Sequence, residues 1–122
     1  MREQNRDKER LAHILEAIGI IESGIATYSK EDLLEKPLLY YGLVKQVEII
    51  GEAANMLTQE FRDKHSEVNW RPIVNMRHVL VHDYIHISKD ILWVTLTHDI
   101  PELKKYIEQY YAEKPVTLQV EM

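Results

Sequence analysis

Apolar residues recur every three or four positions along most of the chain, the signature of helices that each bury one stripe. Leu11, Ile14, Ile18, Ile21, Ile25 and Tyr28 form the first stripe and predict a long amphipathic helix. Ser29, with Asp32 three residues on, has capping-box spacing and predicts a short turn or helix. Pro37 suits the first turn of a second long helix, whose seam reads Tyr40, Leu43, Val47, Ile50, Ala54, Leu57 and Phe61. Gly51, Ala53 and Ala54 leave a small-residue patch on it where another helix can approach. Residues 62–69 are polar and aperiodic and read as a loop.

Asn69 is placed as an N-cap, with Pro72 in the first turn of a third long element. Ile73, Met76, Val79, Leu80 and Val81 form its apolar side, and it frays near Asp83. Ser88 caps a further helix through Ile91, Leu92 and Leu96. Asp99, Pro101 and Glu102 mark another start or a kink, followed by Leu103, Tyr106, Ile107 and Tyr110. The expected fold is all-α, an up-and-down bundle of four to five helices, with residues 1–114 as one domain and 115–122 as a loosely ordered tail.

Composition narrows the class. The chain has 122 residues, 45% of them hydrophobic and 29% charged, as expected of one globular domain. No apolar run approaches the roughly 20 residues a membrane-spanning helix needs. The mixed-charge N-terminus has no signal-peptide core behind it. Zero cysteines exclude disulfides and thiolate metal sites and suit a cytoplasmic setting. A net charge of −5 argues against indiscriminate binding along nucleic acid. The charge is uneven, however: residues 31–60 carry six acidic and two basic side chains, whereas 62–78 carry four basic (Arg62, Lys64, Arg71, Arg77) and two acidic ones. A local anion site is compatible with that surplus, and so is ordinary surface variation.

The richest chemistry lies in Arg77-His78-Val79-Leu80-Val81-His82-Asp83-Tyr84. A fixed positive charge, an imidazole and a phenol within eight residues can hold a phosphate, move a proton and offer a hydroxyl. On a regular helix Arg77 and His82 are roughly 140° apart and His82 and Tyr84 roughly 160° apart. Convergence therefore requires the helix to end near His82, a site shared across a two-fold axis, or both. Across such an axis one His82 could take a proton from a ribose 2′-hydroxyl while the other protonates the leaving 5′-oxygen. Arg77 would stabilise the phosphate charge and Tyr84 would donate a hydrogen bond. Without function, Arg77 reads as a helix-surface ion pair and His82 as a C-terminal cap.

A rival arrangement is metal chelation by His78, His82 and His86, each pair about 40° apart on an unbroken helix, with Asp83 or His65 adding a ligand. No His-Glu-x-x-His pattern supports it. Glu48 and Glu52 are one helical turn apart and read as a solvated face or an ion pair with Lys45 before paired carboxylates. Trp70, Trp93 and seven tyrosines read as packing before base stacking.

Several segments together resemble the HEPN superfamily, specifically HepT-like toxins encoded beside MNT-type nucleotidyltransferase antitoxins. They are Ile49-Ile50-Gly51-Glu52-Ala53-Ala54, Trp70-Arg71-Pro72-Ile73-Val74-Asn75-Met76-Arg77, Val79 to Tyr84, Ile91-Leu92-Trp93 and Asp99-Ile100-Pro101-Glu102-Leu103, spanning most of residues 10–110. The resemblance implies an all-α homodimer with metal-independent endoribonuclease activity, no cofactor, and RNA as substrate. It implies Arg77 and His82 as catalytic residues at the dimer seam. It further implies a partner nucleotidyltransferase that transfers AMP from ATP to Tyr84 and silences the toxin. One departure stands out: the residue after the motif arginine is often Asn in these proteins and is His78 here. That makes His78 an auxiliary candidate. The alternative is a non-catalytic, nucleotide-binding or interaction subunit of a nucleotidyltransferase complex.

Overall fold

The computed structural model describes residues 2–78 and 88–113, with side chains from Arg6 onward. The described residues are helical with no strand, in agreement with the all-α expectation. Helix α1 (Arg2–Thr27) is followed by the short α2 (Lys30–Glu35) and the long α3 (Pro37–Met56). Next come α4 (Gln59–Lys64) and α5 (Trp70–Asn75), which tightens into a 3₁₀ turn over Met76–His78. Beyond the undescribed stretch, α6 (Lys89–Val94) passes through a π-helical turn (Thr95–Asp99) into α7 (Ile100–Ala112).

Helix α1 is central, packing on both α3 and α7. Its direction relative to each is fixed by contacts at opposite ends. Asp7 meets Thr58 just past the end of α3, while a methyl group built on Gly24 would lie 3.8 Å from Leu43 Cδ2 near its start. Lys104 of α7 pairs with Glu22 at 3.0 Å, and Lys8 lies over the Tyr111 ring. Both neighbours therefore run antiparallel to α1, the up-and-down packing expected. Leu11, Ile14, Ile18 and Ile21 are buried against Val44, Val47, Ile50, Leu103 and Ile107. Each such side chain contributes about 1.5–3 kcal/mol of burial free energy.

The helix starts follow local chemistry. Ser29 Oγ accepts from Asp32 N at 3.0 Å, Pro37 sits in the first turn of α3, and Ser88 Oγ accepts from Ile91 N at 3.3 Å. The α6–α7 junction is a π-helical turn with a defined cause. Pro101 has no N–H to give the Thr97 carbonyl, and the Ile100 N–H reaches back five residues to Thr95 O.

Four expectations change. The α3 seam does not run unbroken to Phe61: the helix stops at Met56, and Thr58 starts α4. Thr58 Oγ1 accepts from Phe61 N at 3.1 Å, while its own N–H and hydroxyl donate to the buried Asp7 carboxylate at 2.8 and 2.7 Å. Asp7 thus does from α1 what a third-position glutamate does in a capping box. Arg62–Lys64 belong to α4, because that cap nucleates a turn the hydropathy pattern does not show. Ile91 and Tyr28 are 69% and 45% exposed. Ile91 lies off the face that Leu92 and Leu96 bury, and Tyr28 follows the end of α1. The tail from Pro115 lies outside the described residues. No helix of the described residues is long and apolar enough to cross a membrane.

Candidate functional site

The segment that presents Arg77 is held from below. Trp70 opens α5 with 7% exposure; its indole N–H donates to the His65 carbonyl at 2.9 Å, and its ring meets Phe61 edge-on at 6.3 Å. Asn69 occupies the N-cap, though its side chain makes no capping hydrogen bond. Pro72 is tolerated because the first-turn amides have no intrahelical acceptor anyway. Ile73, Val74 and Met76 pack against the core.

Gly51 of α3 sets how close this segment lies. A methyl group built there would meet the Met76 carbonyl carbon at 2.8 Å and the Ile73 carbonyl oxygen at 3.0 Å, with the Arg77 backbone nitrogen nearer still. Three backbone atoms therefore rest on the bare face of one glycine. The small-residue patch seen in the sequence is the seat of the motif arginine. From this seat Arg77, half-buried, donates from Nε to Nε2 of the exposed His78 at 3.3 Å. No carboxylate of the described residues pairs with Arg77.

His82 and Tyr84 lie outside the described residues, as do Val79, Leu80, Val81, Asp83 and His86. Among the described residues no group of three or more His, Cys, Asp or Glu side chains is arranged to hold a metal. His65 has both ring nitrogens engaged: Nδ1 with Phe61 O at 2.8 Å and Nε2 with Glu113 Oε1 at 2.7 Å. Its ring stacks on Phe61 with centroids 4.1 Å apart. These bonds make it a packing residue and leave it no free nitrogen for a metal. Lys45 holds Glu48 at 2.6 Å, the ion-pair reading of that carboxylate. Trp70 and Trp93 pack into or against the core.

Two features beside the motif were not singled out by sequence. Tyr110 donates to Glu67 Oε1 at 2.7 Å; burial and then this bond push its phenol pKa up, and the same bond holds Glu67 below its usual range. A cleft of about 300 Å³ also opens between α4 and α5, with Arg62, Trp70, Arg71 and Asn75 on its walls. The basic surplus of residues 62–78 was its only signal in the sequence.

Comparison with known proteins gives this geometry a family. The family model described as Ribonuclease HepT-like matches residues 14–110, a span that holds Gly51, Arg77, His82 and Tyr84. The chain belongs to the HepT-like ribonuclease family. It is 39% identical to "Putative RNase TTE0752" of Caldanaerobacter subterraneus subsp. tengcongensis over 99 residues, covering 81% of this chain and 88% of that protein. It is 35% identical to "Probable ribonuclease HepT" of Thermococcus cleftensis, covering 84% of this chain and 93% of that one. A third relative, "Gamma-glutamylcyclotransferase and putative RNase MJ0434" of Methanocaldococcus jannaschii, is 34% identical over 84% of this chain and only 46% of its own length. The HepT-like unit is thus matched there within a longer protein. No solved structure matches the chain.

Proposed function

We propose that this chain is a metal-independent endoribonuclease, the toxin of a toxin–antitoxin pair, acting as a homodimer in the cytoplasm. The reading is carried by the HepT-like match over a span that includes Arg77, His82 and Tyr84. Two arrangements support it: the Gly51 seat that fixes the Arg77 backbone, and the lack of a described carboxylate competing for that guanidinium.

In this proposal Arg77 grips a phosphodiester through two parallel N–H bonds and stabilises the charge that grows on it. One His82 takes the proton from the ribose 2′-hydroxyl, whose oxygen bonds to phosphorus. The bond from phosphorus to the 5′-oxygen breaks, and that oxygen receives a proton from His82 of the second protomer. The products are a 2′,3′-cyclic phosphate and a free 5′-hydroxyl. Tyr84 donates a hydrogen bond to the phosphate. His78, already bonded to Arg77, is an auxiliary group that sets the direction of the guanidinium.

The partner is an MNT-type nucleotidyltransferase that transfers AMP from ATP to the Tyr84 oxygen and releases pyrophosphate. The added phosphate competes with RNA for Arg77 and blocks entry by charge and bulk. His82→Ala in the purified, unmodified protein should abolish RNA cleavage and leave helicity intact. Undiminished cleavage, or cleavage lost to a chelator, would refute the mechanism. Mass spectrometry after co-expression with the neighbouring nucleotidyltransferase tests the modification: AMP increments should map to Tyr84 and vanish in Tyr84→Phe.

A further inference from the structure

We infer that the α4–α5 cleft is a phosphate subsite for single-stranded RNA, holding the strand beside the phosphodiester gripped at Arg77. The inference rests on the ribonuclease reading and adds residues to which that reading gives no role. Two guanidinium groups, Arg62 and Arg71, line the cleft. Arg62 has a buried Nε without a hydrogen-bond partner among the described residues, and its Nη2 makes one long 3.5 Å bond to Gln59 Oε1. Neither arginine pairs with a carboxylate of the described residues. The acid at the rim, Asp63, accepts from Gln59 Nε2 at 2.8 Å. Two cations against one engaged carboxylate leave the cleft positive on a chain of net charge −5.

Position favours RNA running across this face. Arg71 and Asn75 are one turn apart on α5, so they share a face. The same element continues into the 3₁₀ turn that carries Arg77. Four α-helical steps and two 3₁₀ steps separate the backbones of Arg71 and Arg77 by about 10 Å. Long arginine side chains across that distance reach separate phosphates of one extended strand. Trp70 and Val74 supply apolar surface between the two cations in the lining of the cleft. The Asn75 amide offers a donor and an acceptor at the rim, the pairing a ribose 2′-hydroxyl needs.

The test measures anisotropy of a labelled, mixed-sequence single-stranded RNA over a salt series, with full-length protein carrying His82→Ala so that the probe stays intact. Arg62→Gln and Arg71→Gln should each weaken binding on the order of tenfold. Each should also flatten the log affinity–log salt slope by about 0.7. Arg71→Lys should recover most of that slope, and Lys105→Ala on α7 should change neither quantity. In the active protein Arg71→Gln should raise KM and spare kcat. Unchanged affinity and slope in both glutamine variants, with helicity intact, would overturn the subsite even if the protein cleaves RNA. The opposite pattern, binding lost in both variants while active protein cleaves no RNA, keeps the subsite and removes the nuclease.

Discussion

Replacing Gly51 with alanine isolates the contact that seats the motif arginine. In an exposed helix interior, Gly→Ala stabilises by roughly 0.8–1 kcal/mol, because glycine has more backbone freedom to lose. Gly19 and Gly42 provide that reference, since a methyl group at either meets nothing within 4 Å. At Gly51 the methyl group would lie 2.8 Å from the Met76 carbonyl carbon and closer still to the Arg77 nitrogen. Both are backbone atoms, so no rotamer change relieves the clash, and the α5–3₁₀ segment must move off α3. Overpacking of this kind costs typically 1–3 kcal/mol, occasionally more. Set against the propensity gain, G51A should lie between neutral and about 2 kcal/mol destabilising, while G19A and G42A stabilise.

Urea melts followed by circular dichroism at one fixed protein concentration read the difference directly. In the same variant RNA cleavage should fall more than stability does, because the displaced backbone carries Arg77. A G51A protein as stable as G19A, with cleavage intact, would refute the claim that this glycine sets the position of the arginine.

Three other perturbations test the scaffold. Asp7→Ala should cost about 2–4 kcal/mol, because it leaves the Thr58 N–H and hydroxyl without their carboxylate acceptor; Thr58→Ala in the Asp7→Ala background should add much less than it does alone, which a double-mutant cycle checks. Tyr110 has a folded-state pKa raised above its ordinary 10, by burial first and the Glu67 bond second. Its contribution is therefore complete below pH 10 and is lost as pH rises beyond that, so the stability difference between wild type and Tyr110→Phe should shrink in alkaline urea melts. Glu67 is shifted down by the same bond, so its contribution is present above its usual range and fades as pH falls through it; Tyr110→Phe should flatten that acid limb as well.

Hydrophobic spacing and cap residues made the helices legible because both act over three or four residues. The Leu11–Ile21 stripe, the Ser29 and Ser88 caps, and Pro37 at the head of α3 depend only on neighbours in sequence. The small patch at Gly51 also signalled a close approach. The family resemblance likewise came from residue order, and the HepT-like match agrees with it.

Other features depend on residues far apart in the chain. The seam from Leu57 to Phe61 keeps its four-residue spacing across a real break, because the break is made by Asp7, 51 positions away. Ile91 keeps helical spacing yet lies exposed, because the core covers the Leu92 and Leu96 side of that helix and not its own. Arg62 and Arg71 are nine residues apart with a turn between them, and only the packing of α4 beside α5 brings both to one cleft. Local order fixed which segments coil and where most begin. Long-range contact fixed where α3 stops, what the Arg77 backbone rests on, and which cations face the same space. Periodicity records which side of a helix is buried but carries no information about the partner that buries it.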